Sequence, residues 1–399
     1  MQTAVFTIIS PNYTHYARVL MASLERHQPD WQRFVLVTGA VPGRPEPEAH
    51  DAPRDPRDRS YTTVVLEALA LPSPRQLCFR YTILELNTAT KPWMFEYLFE
   101  RGFDRVVYLD PDIQVFSPLA ELDALPPETL LALTPHVTAP SDEDRHCPER
   151  VLLRSGAYNL GFLAAWRRPQ LPHFLRWWQG KLEHQCLNEP ERGGVFVDQK
   201  WMDLAPGLFE GVSILRHDGY NVAYWNLGRR TIEIAGNDAT VHGLPLRFIH
   251  FSGFGGRARD KVSSYGGLEM AAIGAARVFF EDYATTLDEA GRDTFASAPY
   301  AYGTFADGSH IKDEMRFTYR NSQPLQRVAG SDPFAHPELF NGIAARVRDA
   351  SQLFVATVRP LLSRLVPVNS RTPFRAALRM LDGRLAALAA GGRRGSKTS

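Results

Sequence analysis

The 399 residues suffice for one large catalytic domain with an extension, or for two domains. With 44% hydrophobic and 22% charged residues, the chain has the profile of a globular protein that can bury its own core. Lys and Arg number 45 against 44 Asp and Glu, a net charge of +1, which excludes an overall attraction to nucleic acid and leaves charge arguments to local clusters.

Cys78, Cys147 and Cys186 are odd in number and widely spaced. They make neither a disulfide framework nor a zinc motif, and fit a reducing compartment. The first ten residues lack a basic stretch followed by an apolar run and a small-residue cleavage site, so no signal peptide is expected. No apolar run approaches the roughly 18 residues of a membrane span. The expectation is a soluble, cytoplasmic protein, in which the Asn12-Tyr13-Thr14 sequon has no bearing.

Residues 4–10 (AVFTIIS) are apolar and β-rich and end at Pro11, which reads as a buried strand. Residues 13–27 repeat apolar positions at helical spacing, and 33–38 (RFVLVT) form the next strand, closed by Gly39. Strand, helix, strand at this spacing is a βαβ unit and predicts a parallel sheet. Residues 41–60, dense in Pro and charge, read as a long surface loop. A helix over 91–101 carries Pro92 in its first turn and stops at Gly102. The strand 105–109 (RVVYL) then delivers Asp110-Pro111-Asp112 at its C-terminal end, where open α/β sheets bind ligands. From about Gly255 the character changes. Residues 255–302 mix Gly and Ala with helical stretches, and 302–320 are polar and aromatic. Residues 334–366 and 374–390 read as helices, before a basic tail (GGRRGSKTS).

Two carboxylates on a tight turn after a buried strand suit one task in particular. A hard divalent cation takes oxygen ligands and keeps positions open for phosphate and water. It can neutralise a diphosphate leaving group without proton transfer. A D-x-D pair alone is a common accident of loops; its place after an apolar strand is what raises it above chance.

The segment VVYLDPDIQV resembles the "YLDxD" signature of GT-A glycosyltransferases, in particular the family-8-like group. Further segments resemble that group's motifs in order: the opening TIISPNYTHYARVLMASLERHQPD, TATKPWMFEYL, YNLGFLAAW for "FNxGxxL", VDQKWMD for "DQxxLN", GYNVAYWNL for "YNxxxW", and FIHFSG for "IHFxG". The resemblance spans residues 1–254. It implies an α/β, Rossmann-like nucleotide-sugar-binding domain with a mostly parallel sheet and a helical C-terminal extension. The expected division is 1–255 catalytic, 256–326 a mixed extension completing it, and 327–399 helical with a basic tail.

The resemblance also implies roles. Asp110, Asp112 and His250 would hold Mn²⁺ or Mg²⁺. Lys91 would touch the diphosphate or the donor sugar as a point charge; its plain alternative is a solvated lysine at a helix start. Asn159 and Gly161 would line the donor-sugar pocket, where Gly161 permits close backbone approach. Asp198 and Gln199 would meet the sugar hydroxyls and the face behind the anomeric carbon, the plain alternative for Asp198 being a helix N-cap. Ser10, Asn12 and Tyr13 would cradle the base and ribose. The late motif departs from the family's "KPW" and continues as GGRARDK, leaving Arg257, Arg259 or Lys261 to face the phosphates.

The function implied is metal-dependent transfer from a nucleotide-diphosphate sugar, UDP-linked in first place, to a glycan or lipid-linked acceptor, with retention of anomeric configuration. The alternative is a non-catalytic nucleotide-sugar-binding or assembly protein of a polysaccharide pathway. A nucleotidyltransferase is disfavoured because SPNYTHYAR after the first strand has no glycine. The arginines of 334–390 suit either a peripheral contact with an anionic inner-membrane face or packing on the catalytic domain or on a second subunit of a homo-oligomer.

Overall fold

The first strand, β1 (Thr3–Ile9), is buried at all its positions. A strand covered on both faces reads as an unbroken apolar run, which is what a mostly parallel sheet between helical layers requires. The computed structural model, which describes residues 1–40, 60–140, 149–190, 194–236, 238–255 and 260–340, sets β1 inside a seven-stranded sheet. Along the chain follow β2 (Gln32–Val37), β3 (Thr62–Val65), β4 (Arg105–Leu109), β5 (Ile113–Val115), β6 (Leu131–Pro135) and β7 (Tyr158–Trp166). Across the sheet the order is Val212–Ile214, β6, β7, β4, β1, β2, β3. Each pairing is parallel except the two that β7 makes, with β4 and with β6. The α/β class and the mostly parallel sheet expected from the sequence are present. The expected strands over 4–10, 33–38 and 105–109 and helices over 13–27 and 91–101 form with ends that differ by a residue at most.

β5 leaves the large sheet and pairs antiparallel with Phe248–His250, His250 lying opposite Ile113. Two things hold it there. The helix Thr14–His27 buries Ala17, Leu20, Met21 and Leu24 in one cluster with Val5, Ile9, Ile113 and Val115. From the same helix the Ser23 hydroxyl accepts the Val115 N–H at 3.1 Å.

The chain divides into two compact units, Met1–Gly303 and one beginning at Thr304. Within the first, residues beyond 255 still build the core. The helix Arg277–Glu289 buries Phe280, Tyr283, Ala284 and Leu287, and the Tyr283 ring stacks on Phe251 at 3.8 Å between centroids. In the second unit, the helices Asp313–Arg320 and Gln323–Ala329 follow one another, and Phe340 packs against Phe305 and Tyr319. The helix expected to start at 334 does not start there: two 3-10 turns, Pro333–Ala335 and Pro337–Leu339, occupy its first residues. Pro337 supplies no N–H and disfavours a helical residue before it, which breaks the pattern. The remainder of that segment, the segment 374–390, the loop 41–59 and Cys147 lie outside the described residues. Cys78 and Cys186 are buried and in no disulfide, and among the described residues no helix is long and apolar enough to cross a membrane.

Phe251 follows the ladder that carries His250 and is 1% exposed. Phe251→Ala is expected to lower the unfolding free energy by about 3–5 kcal/mol, measured as a lower urea midpoint at unchanged slope. A loss below about 1 kcal/mol would mean that the helix Arg277–Glu289 does not brace this strand.

Candidate active site

β4 ends at the C-terminal edge of the sheet, and residues 110–112 turn the chain into β5. The turn is fixed by backbone bonds: Asp110 N–H to the Gly161 carbonyl (2.8 Å) on β7, Ile113 N–H to the Asp110 carbonyl (3.1 Å) and Phe251 N–H to the Asp112 carbonyl (2.8 Å). Through the β5 ladder His250 faces both carboxylates, its Nε2 lying 3.1 Å from Asp112 Oδ1 and 3.6 Å from Asp110 Oδ2. One ligand atom from each of Asp110, Asp112 and His250 lies within 4.8 Å of the other two. Two carboxylates and one imidazole form a donor set suited to manganese or magnesium, and the part-exposed carboxylates leave room for water or phosphate to complete the shell. Burial disfavours the charged imidazole of His250. The Asp112 carboxylate, aided by its hydrogen bond and by Asp110, outweighs burial and raises the pKa above 6.5.

Lys91, the first residue of the helix Lys91–Glu100, is not a solvated lysine: it is 1% exposed. Its ammonium donates to the Leu160 carbonyl at 3.0 Å, pairs with Asp198 at 2.8 Å, lies 4.0 Å from Asp110 and sits over the Tyr108 ring. Tyr108 in turn donates its hydroxyl hydrogen to Asp110. Asp198 stands at the N-cap position of the 3-10 turn Gln199–Leu204, yet its side chain makes no capping bond. Burial pushes its pKa up to about 6 even though Lys91 pulls it down. Asp110 and Asp198 share the Lys91 ammonium while Asp112 faces His250, so three carboxylates converge here, a concentration of negative charge that a divalent cation would offset.

β7 contributes the floor. Asn159 Oδ1 accepts the Gly161 N–H at 3.1 Å, and Asn159 Nδ2 donates to Gln199 Oε1 at 3.2 Å. Gln199 is held at both ends, Oε1 by the Leu160 N–H (3.0 Å) and Nε2 by the Ser155 carbonyl (2.8 Å). A Cβ on Gly161 would lie 2.4 Å from His250 Cε1, so only glycine lets the ring rest against the strand. A cavity of about 440 Å³ opens beside these groups, lined by Lys91, Asp110, Asn159, Gly161, Asp198, Gln199 and His250, with Tyr224, Trp225 and Tyr265 along it.

Ser10, Asn12 and Tyr13 lie outside that lining, at the C-terminal end of β1 beside β4. Ser10 donates to Asn12 Oδ1 at 2.6 Å. Tyr13 stacks on Tyr16 at 4.9 Å, and its hydroxyl pKa is raised by burial and then by the Asp112 carboxylate. Of the basic residues after the late motif, Arg257 and Arg259 lie outside the described residues, and Lys261 is exposed, its backbone bridged to Glu269.

The sequence reading gave no role to Asn221, His136 or Trp225. Asn221 and Trp225 belong to the GYNVAYWNL segment, whose two asparagines were the available signal. His136 follows β6 without any motif. Its Nδ1 faces the Ala157 carbonyl at 3.3 Å, its ring meets Trp225 edge-on at 5.2 Å, and burial pushes its pKa down to about 4.

No protein-family model matches the chain. It is 24% identical over 251 residues to an uncharacterised protein, YfnD, of Bacillus subtilis (strain 168), which covers 62% of this chain and 76% of that one. Among solved structures it is similar to the galactosyltransferase LgtC in complex with donor and acceptor sugar analogues (TM-score 0.45, 16% identity, 74% of this chain and 97% of that). It is also similar to GlyE, a glycosyltransferase of Streptococcus pneumoniae TIGR4 (TM-score 0.41, 17% identity, 76% and 67%). A third is a glycosyltransferase involved in glycosylation of the major capsid of PBCV-1 (TM-score 0.36, 11% identity, 71% and 99%). With likeness this distant, the chemistry has to be read from the chain's own side chains.

An imidazole that titrates near 6.5 when unfolded but near 4 when folded takes its proton first in the unfolded chain. Stability contributed by neutral His136 is therefore present above about 6.5 and lost as pH falls from there to about 4. The shift corresponds to about 3 kcal/mol. Urea unfolding across that window should show the loss, and His136→Gln should flatten part of it; identical pH slopes in the two proteins would contradict a neutral buried His136. Gly161→Ala should weaken manganese binding about tenfold or more by displacing His250, read from the free-ion electron paramagnetic resonance signal. Unchanged affinity would contradict the packing of His250 on β7.

Proposed function

We propose that the chain is a metal-dependent glycosyltransferase of the GT-A type. It would move a sugar from a nucleotide-diphosphate donor, UDP-linked in first place, to a glycan or lipid-linked acceptor, with retention of anomeric configuration. The observation that carries this reading is the convergence of Asp110, Asp112 and His250 within 4.8 Å, at the C-terminal end of β4 and beside the 440 Å³ cavity. A divalent cation bound there supplies the positive charge that stabilises a diphosphate as it leaves.

The chain's own residues divide the remaining work. Asp110, Asp112 and His250 Nε2 hold the cation, with the ring pressed on Gly161. Lys91 orders the Asp198 carboxylate and keeps its charge next to Asp110, so that the carboxylate faces the hydroxyls of the donor sugar. Gln199, tied to the backbone at both ends of its amide, forms a fixed wall behind the anomeric carbon. Ser10, Asn12 and Tyr13 take the base and ribose beside the Asp turn. Tyr224, Trp225 and Tyr265 offer aromatic faces on which a sugar ring can lie. UDP as the nucleotide and retention as the outcome follow from the motif resemblance.

Nucleotide sugars incubated singly with the full-length protein and manganese test the proposal, through release of free sugar and nucleotide diphosphate. UDP-linked donors are expected to turn over and chelation to abolish turnover. Asp112→Asn should lower it about a hundredfold or more, as expected when charge stabilisation worth several kcal/mol is lost. Full activity in Asp112→Asn would overturn the metal assignment, and tighter calorimetric binding of GDP than of UDP would overturn the donor. Metal-dependent nucleotide binding with no turnover of any donor would favour a binding protein instead.

A further inference from the structure

His250 has two ring nitrogens, and only one can serve the cation. Nε2 points at Asp110 and Asp112. Nδ1 points the other way, 3.2 Å from Asn159 Oδ1 and 3.4 Å from Asn221 Oδ1. Which nitrogen carries hydrogen depends on whether those atoms are oxygens, and an amide's O and N are told apart by their partners. Here the backbone decides. The Gly161 N–H donates to Asn159 Oδ1 at 3.1 Å, and a donor can meet only the oxygen end of that amide. The nitrogen end then faces Gln199 Oε1, itself identified as oxygen by the Leu160 N–H. Asn159 Oδ1 also accepts from Asn221 Nδ2 at 3.1 Å, whose second donation goes to Thr134 Oγ1 at 3.1 Å. That leaves Asn221 Oδ1 for His250. Both groups in front of Nδ1 are therefore acceptors, and neither can supply a proton.

Asn221 is fully buried with φ at +54°, a left-handed conformation that asparagine tolerates better than most residues. Its carbonyl is held by Asn226 Nδ2 at 2.9 Å. Asparagine is one of the few residues besides glycine that fit this backbone at little cost, and here it lies beside the Asp110–Asp112–His250 cluster.

Resting on the metal reading above, we infer that Asn159 and Asn221 are positioning residues that hold the hydrogen on His250 Nδ1, so that Nε2 is the nitrogen presented to a cation between Asp110 and Asp112. Two amide oxygens facing Nδ1 make the tautomer a property of the fold rather than of the cation. Asn159 also spans from the metal histidine to Gln199. One side chain thereby sets the distance between the cation and the wall of the sugar pocket.

The test is manganese affinity of the full-length protein and its variants, read by electron paramagnetic resonance, with circular dichroism to confirm the fold. Asn159→Leu removes the acceptor at similar volume, and Asn221→Gly removes the amide while keeping a residue at ease at positive φ. Each is expected to weaken manganese about tenfold or more, the usual effect of losing a group that orients a metal ligand. Asn159→Asp keeps an oxygen facing Gly161 and His250, adds a negative charge there and loses the amide donor that faces Gln199 and His136. It should retain near wild-type manganese affinity while its turnover falls, a split that simple destabilisation would not produce. Equal affinity of all four proteins would overturn the inference while leaving the metal site standing. Absence of manganese binding by the wild-type protein would overturn both.

Discussion

Asp112 reaches His250 because the short strand after the Asp turn leaves the main sheet and pairs with Phe248–His250 in antiparallel register. A register slip of one residue would turn His250 to the other face. That ladder joins parts of the chain far apart in sequence, and most of the surrounding packing serves to fix it. On one side the helix Thr14–His27 fills in beneath β5 and caps its Val115 N–H. On the other, Phe251 stacks on Tyr283 of a helix that lies wholly beyond the motif-bearing part of the chain. Residues after 255 thus contribute in two ways, this helix by bracing the strand from behind and Tyr265 by lining the cavity.

Electrostatics follow from this geometry. Carboxylates brought close together repel, and one buried ammonium does not offset them. The two buried histidines near the cavity respond in opposite directions. His136, set between the Trp225 ring, the Ala157 carbonyl and the Asn159 amide, is pushed down to about 4 by burial. His250, equally buried, is raised because burial is outweighed by Asp112 and Asp110. Two buried imidazoles lining one cavity thus differ in charge preference, burial keeping His136 neutral and the carboxylates favouring the charged form of His250.

Much of the architecture was legible in the sequence, because fully buried strands announce themselves as apolar runs. β1 and β4 needed no tertiary information, nor did the position of the Asp pair at a strand end. Three features were not legible. β7 runs antiparallel to its neighbours, and an apolar strand carries no sign of its direction. Whether Lys91 met the donor or was a solvated helix-start lysine stayed open because its partners, Leu160 and Asp198, come from later segments. Asn221 gained its role only when the fold brought it to Asn159, 62 positions away, and to His250, 29 positions away. The helix expected from 334 does not begin there, for a local reason that was visible, Pro337, which the periodicity of the longer segment overrode.

The central claim is that Asp110, Asp112 and His250 form one divalent-cation site that receives a nucleotide diphosphate. Crystals grown with manganese and UDP, with anomalous scattering recorded, test it most directly. The account predicts one anomalous peak within coordination distance of both carboxylates and of His250 Nε2, with diphosphate oxygens completing the shell. A peak bound through Nδ1, or a nucleotide seated at β4 with no peak beside the Asp pair, would contradict it.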